Sequence, residues 1–315
     1  MNMARALVFP GQGSQAVGMG QELAEAFPVA RQVFEEVDDA LGQNLSRLMK
    51  EGPIEDLTLT ENAQPALMAV SVATSRVLES EGNTTLSDIA KYVAGHSLGE
   101  YSALAAAGAL SLADTARLLK RRGQAMQRAV PVGEGAMAAM LGLSLEDAVA
   151  TAEEAAQGEV CAAANDNATG QVVISGSSAA IDRAVEIAKE KGAKKAMRLT
   201  VSAPFHCALM QPAADEMKDA LGEVTLNAPS LPLVANVTAA AVDTPDQIRE
   251  LLISQVTAMV RWRESVLFMR DNDVDQLVEI GAGKVLATMT RRIDRAVSAS
   301  AINNPADIEK FLNSL

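Results

Sequence analysis

Apolar and polar positions run along this chain in two rhythms. Ala4–Phe9 (ARALVF) predicts a short buried strand ended by Pro10-Gly11, and Tyr92–Gly95 (YVAG) predicts a second. Between them helical spacing dominates to about Glu81. In Glu61–Glu79, for example, Ala66, Leu67, Val70, Ala73, Thr74 and Val77 recur three or four residues apart. Residues 98–107 follow the second strand directly with a helical pattern. Ser111–Val130 is a further helix, opened by Ser111 with Asp114 three residues on, an approximate capping box.

The rhythm changes at Pro131-Val132-Gly133. The pattern then predicts a strand at Ala136–Leu143, a helix at Leu145–Gln157 and a strand at Glu159–Ala164. A polar turn at Asn165–Gly170 leads to a strand at Gln171–Ser175, a helix at Ser178–Lys191 and a strand at Ala193–Thr200. That order, β-α-β-β-α-β, is the ferredoxin-like unit. Residues 203–315 return to alternating helices and short strands, including Gln276–Ile280 and Ala296–Ser300. The expectation is one α/β core, 1–130 with 203–315, interrupted by an inserted subdomain at 131–202.

Composition narrows the function classes. An apolar fraction of 49% in 315 residues supplies a full core. Forty acidic against 27 basic side chains give a net charge of −13, which counts against a nucleic-acid partner that would demand a cationic footprint. Two cysteines, Cys161 and Cys207, build no disulfide framework and suit a reducing compartment. The short apolar run before Pro10 is no signal h-region. The uncharged stretch Val224–Val242 is broken by Pro229, Pro232, Asn227 and Asn236, so no membrane segment is expected and a cytoplasmic location is.

Gly95-His96-Ser97-Leu98-Gly99 matches G-x-S-x-G between a predicted strand and a predicted helix. A sharp strand-to-helix turn lifts a serine oxygen clear of the fold, and the helix aims free N–H groups at it. A serine needs a base, and the chain has two histidines. His96 adjoins Ser97 and should point away from it, which leaves His206 by elimination. No acidic residue that would orient His206 sits in a recognisable motif. Cys207 reads as a small core residue. The loop Phe9–Gln15 lacks the spacing of a phosphate or dinucleotide loop. It is either a tight turn or a source of oxyanion-binding N–H groups alongside Leu98. On the helix 111–130, Arg122 falls on the apolar stripe of Leu112, Ala116, Leu119, Met126 and Val130, whereas Arg117, Arg121 and Arg128 lie opposite. An inward guanidinium demands an anion, supplied either by a protein carboxylate or by a substrate carboxylate.

Taken together, FPGQGSQ at 9–15, ENAQPAL at 61–67, GHSLGEYSAL at 95–104, RRGQAM at 121–126, NDNATGQVVISG at 165–176, FHC at 205–207 and GAGKVL at 281–286 resemble the malonyl-CoA:acyl carrier protein transacylases, over nearly the whole chain. The resemblance implies a hydrolase-like α/β core with the ferredoxin-like insert. It also implies ping-pong transfer of malonyl from malonyl-CoA to the pantetheine thiol of acyl carrier protein, without cofactor or metal. By it, Ser97 carries the malonyl ester, His206 is the base and Arg122 binds the malonyl carboxylate. The amides of Gln12 and Leu98 form the oxyanion hole, and Gln64 lines the pocket. A main-chain carbonyl near Trp262 should orient His206. Two departures stand out: Arg261 where the family often has glutamine, and Ala282 where it has proline. Phe205 fits a malonyl-preferring pattern. The carrier, an acidic protein, would meet either the Arg117, Arg121 and Arg128 stripe or the lysines 189, 191, 194 and 195, the latter favoured. A serine esterase or thioesterase, and a docking protein without chemistry, are the rival readings.

Overall fold

The computed structural model describes residues 4–315. Among the described residues ten strands form two sheets. The larger holds β1 (Arg5–Phe9), β2 (Tyr92–Gly95), β7 (Leu233–Val234), β8 (Ala241–Val242), β9 (Gln276–Ile280) and β10 (Ser298–Ile302), ordered β10-β9-β1-β2-β7-β8 and parallel except for β8. All five β1 residues are buried. A strand covered on both faces reads as an unbroken apolar run, which is why ARALVF was legible. Leu7 and Phe9 share a core cluster with the helix Thr60–Gly82, whose burial extends beyond the predicted stripe to Met68, Ala69 and Val72.

The smaller sheet holds β3 (Gly135–Leu141), β4 (Cys161–Ala168), β5 (Gln171–Ser177) and β6 (Lys195–Arg198), antiparallel in the order β4-β5-β3-β6. Helices Leu145–Ala156 and Ser178–Glu190 cover one face, with Ala152, Ala155, Ile181 and Ala184 in the contact. Met137, Ala164 and Val173 cluster with Leu199 and Phe205 on the side of the cleft described below.

The predicted polar turn at Asn165–Gly170 is wrong for its first half, because β4 runs on to Ala168. Register shifts at Ala163/Asn165 and Asp166/Ala168 let polar residues stay in the strand while twisting it. Several polar groups there find partners outside the sheet, while Asp166 Oδ1 is buried without one among the described residues. The Asp166 N–H donates to Val260 O at 2.9 Å, Val260 N–H donates to Ala164 O at 2.8 Å, and Arg263 Nε donates to Asp166 Oδ2 at 2.8 Å. This edge thus ties the small sheet to the segment Val260–Arg263 at the start of the helix Trp262–Asp271. The predicted arginine stripe lies at the surface, with Arg117 and Arg128 exposed and Arg121 half-buried, and it is ion-paired. Arg121 pairs with Glu216, on the helix Gln211–Gly222, and with Glu223, which caps it, and Arg128 pairs with Glu216, so these guanidiniums are engaged within the molecule.

Register fixes the site. Phe9 faces Gly95 across β1 and β2, so the loops after both strands leave the sheet side by side at its carboxyl edge, where open parallel sheets bind ligands. His96 N–H donates to Phe9 O at 3.0 Å. The turn closes so tightly that a Cβ on Gly95 would lie 1.9 Å from Gly99 C, and one on Gly99 2.2 Å from Phe9 O. Both obstacles are backbone and cannot swing aside. Gly95→Ala and Gly99→Ala are therefore expected to destabilise the chain by at least the ~1–3 kcal/mol of an overpacked core. A thermal unfolding midpoint equal to the parent's in both variants would contradict this account of the turn.

Candidate active site

Ser97 stands on the turn between β2 and the helix Gly99–Ala106 with φ of 54°, a left-handed conformation that a non-glycine residue keeps only when its surroundings enforce it. Asn236 does much of the enforcing. Its Oδ1 accepts from Ser97 N–H at 2.8 Å, and its Nδ2 donates to Gly95 O at 2.7 Å. Nothing in the sequence reading singled out Asn236. The available signal was a lone amide in the apolar run Leu233-Val234-Ala235-Asn236-Val237, where a buried polar group requires partners.

Ser97 Oγ lies 2.8 Å from His206 Nε2, and His206 Nδ1 lies 2.9 Å from Gln255 O. A carbonyl only accepts, so the ring proton sits on Nδ1 and Nε2 is left to receive the serine proton. The orienting carbonyl was expected near Trp262; it belongs to Gln255, at the end of the helix Pro245–Gln255. Arg261 instead turns its side chain to Glu264 and to the carbonyl oxygens of Val237 and Thr238. His206 is nearly inaccessible, and burial, reinforced by the Arg122 charge, drives its pKa down to about 3. His96 points away from the serine as expected, with Nε2 2.8 Å from Asn167 Oδ1 and its ring against Trp262. Cys207 is buried, its thiol donating to Pro204 O, and burial raises its pKa, which suits a core residue better than a nucleophile.

Arg122 is 1% exposed. Its Nη1 donates to Gln64 Oε1 at 2.7 Å, and its Nη2 donates to Gln255 Oε1 at 2.8 Å and to Ser97 Oγ at 3.2 Å. Among the described residues no carboxylate pairs with it directly, so the protein salt bridge weighed from the sequence is not what holds it. Neutral amides fix the fork and leave the charge uncompensated at contact range. The amides continue as a relay, with Gln64 Nε2 donating to Thr60 Oγ1 at 2.9 Å and the Thr60 hydroxyl donating to Gln12 Oε1 at 3.0 Å. Four of the sequence-predicted residues, Gln12, Gln64, Arg122 and Ser97, are thereby tied together. Among the described residues the backbone N–H groups of Gln12 and Leu98 have no acceptor.

Ser97, His206, Arg122, Gln12, Gln64 and Leu98 all line one cleft of about 360 Å³. Its far wall is the small sheet, through Met137, Val173 and Asn167, with Leu199 beyond β6; Phe205 and Met126 narrow it. A second hollow of about 390 Å³, floored by Met19, Phe34 and Met49, carries none of these groups.

A family model described as acyl transferase domain matches residues 6–305. The malonyl CoA-acyl carrier protein transacylase of Escherichia coli (strain K12) is 46% identical over 301 residues, 96% of each chain. Among solved structures, an acyl-carrier-protein-S-malonyltransferase from Bartonella henselae superposes with a TM-score of 0.97 at 54% identity, covering 99% of both chains. A malonyl-transacylase solved in complex with a type II PKS acyl-carrier protein gives 0.95 at 44% identity, covering 99% of this chain and 100% of that one.

The depressed His206 pKa has a stability consequence whose sign is fixed. Unfolded histidine titrates near ~6.5, so below that pH the unfolded chain takes up a proton that the folded chain refuses. His206 should therefore cost the fold up to ~1.4 kcal/mol per pH unit as pH falls from about 6.5 toward 3. Unfolding free energies of the parent and His206→Gln, compared across that range, should shift in favour of the variant as pH falls. A constant difference would mean that His206 titrates normally.

Proposed function

The chain belongs to the acyl transferase family and is an acyltransferase, and we propose that it carries a malonyl group from malonyl-CoA to the pantetheine thiol of an acyl carrier protein through a malonyl ester of Ser97. One observation carries the reading: the hydroxyl paired with His206 is also hydrogen-bonded by a buried guanidinium that has no carboxylate of its own. A nucleophile so placed favours an acyl group ending in a negative charge. The malonyl carboxylate is one methylene beyond the carbonyl that Ser97 would attack, so a single group can reach both residues.

In the proposed first half-reaction, Ser97 gives its proton to His206 Nε2 as Oγ bonds to the thioester carbon. The Nδ1–H to Gln255 O bond steadies the resulting imidazolium. The N–H groups of Gln12 and Leu98 take the developing oxyanion. Collapse breaks the carbon–sulfur bond, and His206 returns the proton to the departing CoA sulfur. In the second half-reaction the carrier thiol gives its proton to His206 and attacks the ester carbon, and the same proton returns to Ser97. Arg122 holds the malonyl carboxylate throughout. Gln255 joins the predicted set as a positioning residue, because it touches His206 and Arg122 at once. The strand order β4-β5-β3-β6 with two helices on one face supports reading 131–202 as a ferredoxin-like insert, and the six-stranded sheet supports a hydrolase-like core for 1–130 with 203–315.

Of the lysines favoured from the sequence as the carrier patch, Lys189 and Lys191 are partnered by Glu186 and Glu154, while Lys194 and Lys195 are exposed without a carboxylate partner among the described residues; the arginine stripe is engaged as described. Lys284 and Arg292 offer a better surface. Both are exposed, and among the described residues neither has a carboxylate partner. They flank Val285 and Met289, which line the cleft. No helix of the described residues is long and apolar enough to cross a membrane.

Ser97→Ala should abolish malonyl incorporation measured by intact mass, and an undiminished adduct would remove Ser97 from its role. Arg122→Ala should weaken malonyl transfer by ~2–5 kcal/mol in transition-state terms while sparing acetyl-CoA. Equal losses with both esters would make Arg122 structural. Release of free malonate at the transfer rate would favour a hydrolase instead. Reversing Lys284 and Arg292 to Glu should slow discharge to the carrier, most at low salt, and leave formation of the Ser97 ester intact. Unchanged discharge at both low and moderate salt would exclude this surface.

A further inference from the structure

One buried ionisable group has no part in the steps above. Glu100, on the first turn of the helix Gly99–Ala106, is 1% exposed. Its carboxylate accepts a short hydrogen bond from Gln255 Nε2. The same Nε2 donates to Ser97 O at 3.0 Å. With the amide nitrogen claimed by two acceptors, Gln255 Oε1 has one direction left, and there it receives Arg122 Nη2 at 2.8 Å. Glu100 therefore decides which end of the amide Arg122 meets. It also supplies the negative charge that this buried cation otherwise lacks, at one amide's remove.

We infer that Glu100 is a specificity-determining residue: the internal counter-charge of Arg122, which acts through Gln255 and is displaced from that role, by taking a proton from solvent, when a substrate carboxylate occupies the guanidinium. The inference rests on the proposed role of Arg122. Two carboxylates cannot both lean on one buried cation without repulsion, and in a site of low dielectric the cheaper outcome is that one of them binds a proton. The substrate carboxylate makes direct contact, so Glu100 is the one to yield. Burial already raises its pKa to about 7, against the opposing pull of Gln255, the Asn236 backbone and Arg122. Of the other groups around it, Tyr101, its neighbour on the helix, is pushed up to about 12, and His206, across Gln255, is down at about 3, so both are neutral near pH 7. Arg122, from the helix Leu112–Ala129, is the charge that bears on it.

The consequence is a pH dependence confined to carboxylated substrates. As Glu100 ionises it competes for Arg122, so apparent affinity for malonyl-CoA should fall as pH rises through about 7, whereas acetyl-CoA should be indifferent. The experiment is calorimetric binding of malonyl-CoA and acetyl-CoA to Ser97→Ala, which blocks turnover, in buffers of different ionisation enthalpy near pH 7. Malonyl-CoA should bind with net uptake of a fraction of a proton beyond that of acetyl-CoA, whose identical CoA phosphates serve as control. Adding Glu100→Gln keeps a side-chain oxygen for Gln255 and removes the charge. It should abolish the extra uptake, tighten malonyl-CoA by roughly three- to tenfold at pH 8, and leave acetyl-CoA unchanged. Preferential malonyl-CoA binding with no extra proton overturns the inference, and the comparison within the Glu100-containing protein decides this even if the second variant fails to fold. Equal binding of the two esters, unaffected by Arg122→Ala, overturns the role of Arg122 itself.

Discussion

A positive charge buried against a hydroxyl, with no anion touching it, is the constraint around which the cleft is organised. Burying a guanidinium unpaired is costly, and the two Nη groups of Arg122 are both engaged while its Nε is buried without a partner among the described residues. Gln64 and Gln255 answer the Nη groups with neutral oxygens, and Ser97 adds a third acceptor. A carboxylate at either glutamine position would satisfy the cation fully and leave it no pull on a ligand. The same charge bears on the neighbouring imidazole, helping to keep His206 neutral and able to accept a proton. In the proposed chemistry, retaining the cation, keeping the base free and lowering the cost of a serine alkoxide would thus be three effects of one placement.

That placement depends on backbone more than on side chains. The loops of β1 and β2 meet because Phe9 and Gly95 are register partners, and the turn between β2 and its helix closes because positions 95 and 99 carry no Cβ. Asn236, from beyond β7, then ties Gly95 O and Ser97 N–H into one rigid corner. The small sheet contributes differently. It brings no group to the serine itself, but its edge strand is joined to the core at Val260 and Arg263, which sets Asn167 against His96 and closes the cleft on that side.

How much of this the sequence revealed follows the range of the forces involved. Ser97 was legible because an elbow is a local geometry with a local spacing, and Arg122 because one helical turn puts it on the wrong face for a charge. His206 was reached by elimination among two histidines, which is composition and not structure. Gln255 left no local trace, and Asn236 only that of a lone amide in an apolar run. Their partners lie 49 and 139 residues away, and an amide at a helix end or in a loop looks the same whether it faces solvent or a nucleophile. The Asn165–Ala168 segment misled for the complementary reason. Polar side chains in a row imply a turn unless something outside the sheet holds them, and Arg263 on Asp166, His96 on Asn167 and the Val260 backbone, all distant in sequence, do so. Charge pattern on the helix Leu112–Ala129 revealed the outward arginines but not their partners, because Glu216 and Glu223 are invisible from that helix alone.

The reading of the chain as handling anionic partners sets two electrostatic problems that its fold separates by depth. A molecule of net charge −13 repels both an acidic carrier and a CoA ester at long range, but salt damps that field over ~8 Å, so a few unpaired cations at the rim of the cleft govern encounter locally. Selection of the acyl group occurs where salt does not reach. Arg122 and Glu100 are each 1% exposed, so their interaction with a bound carboxylate is set by distance and by the fixed amide between them. Encounter should accordingly respond to ionic strength and selection to pH. A fold that placed the discriminating cation at the surface would have made both properties follow the salt.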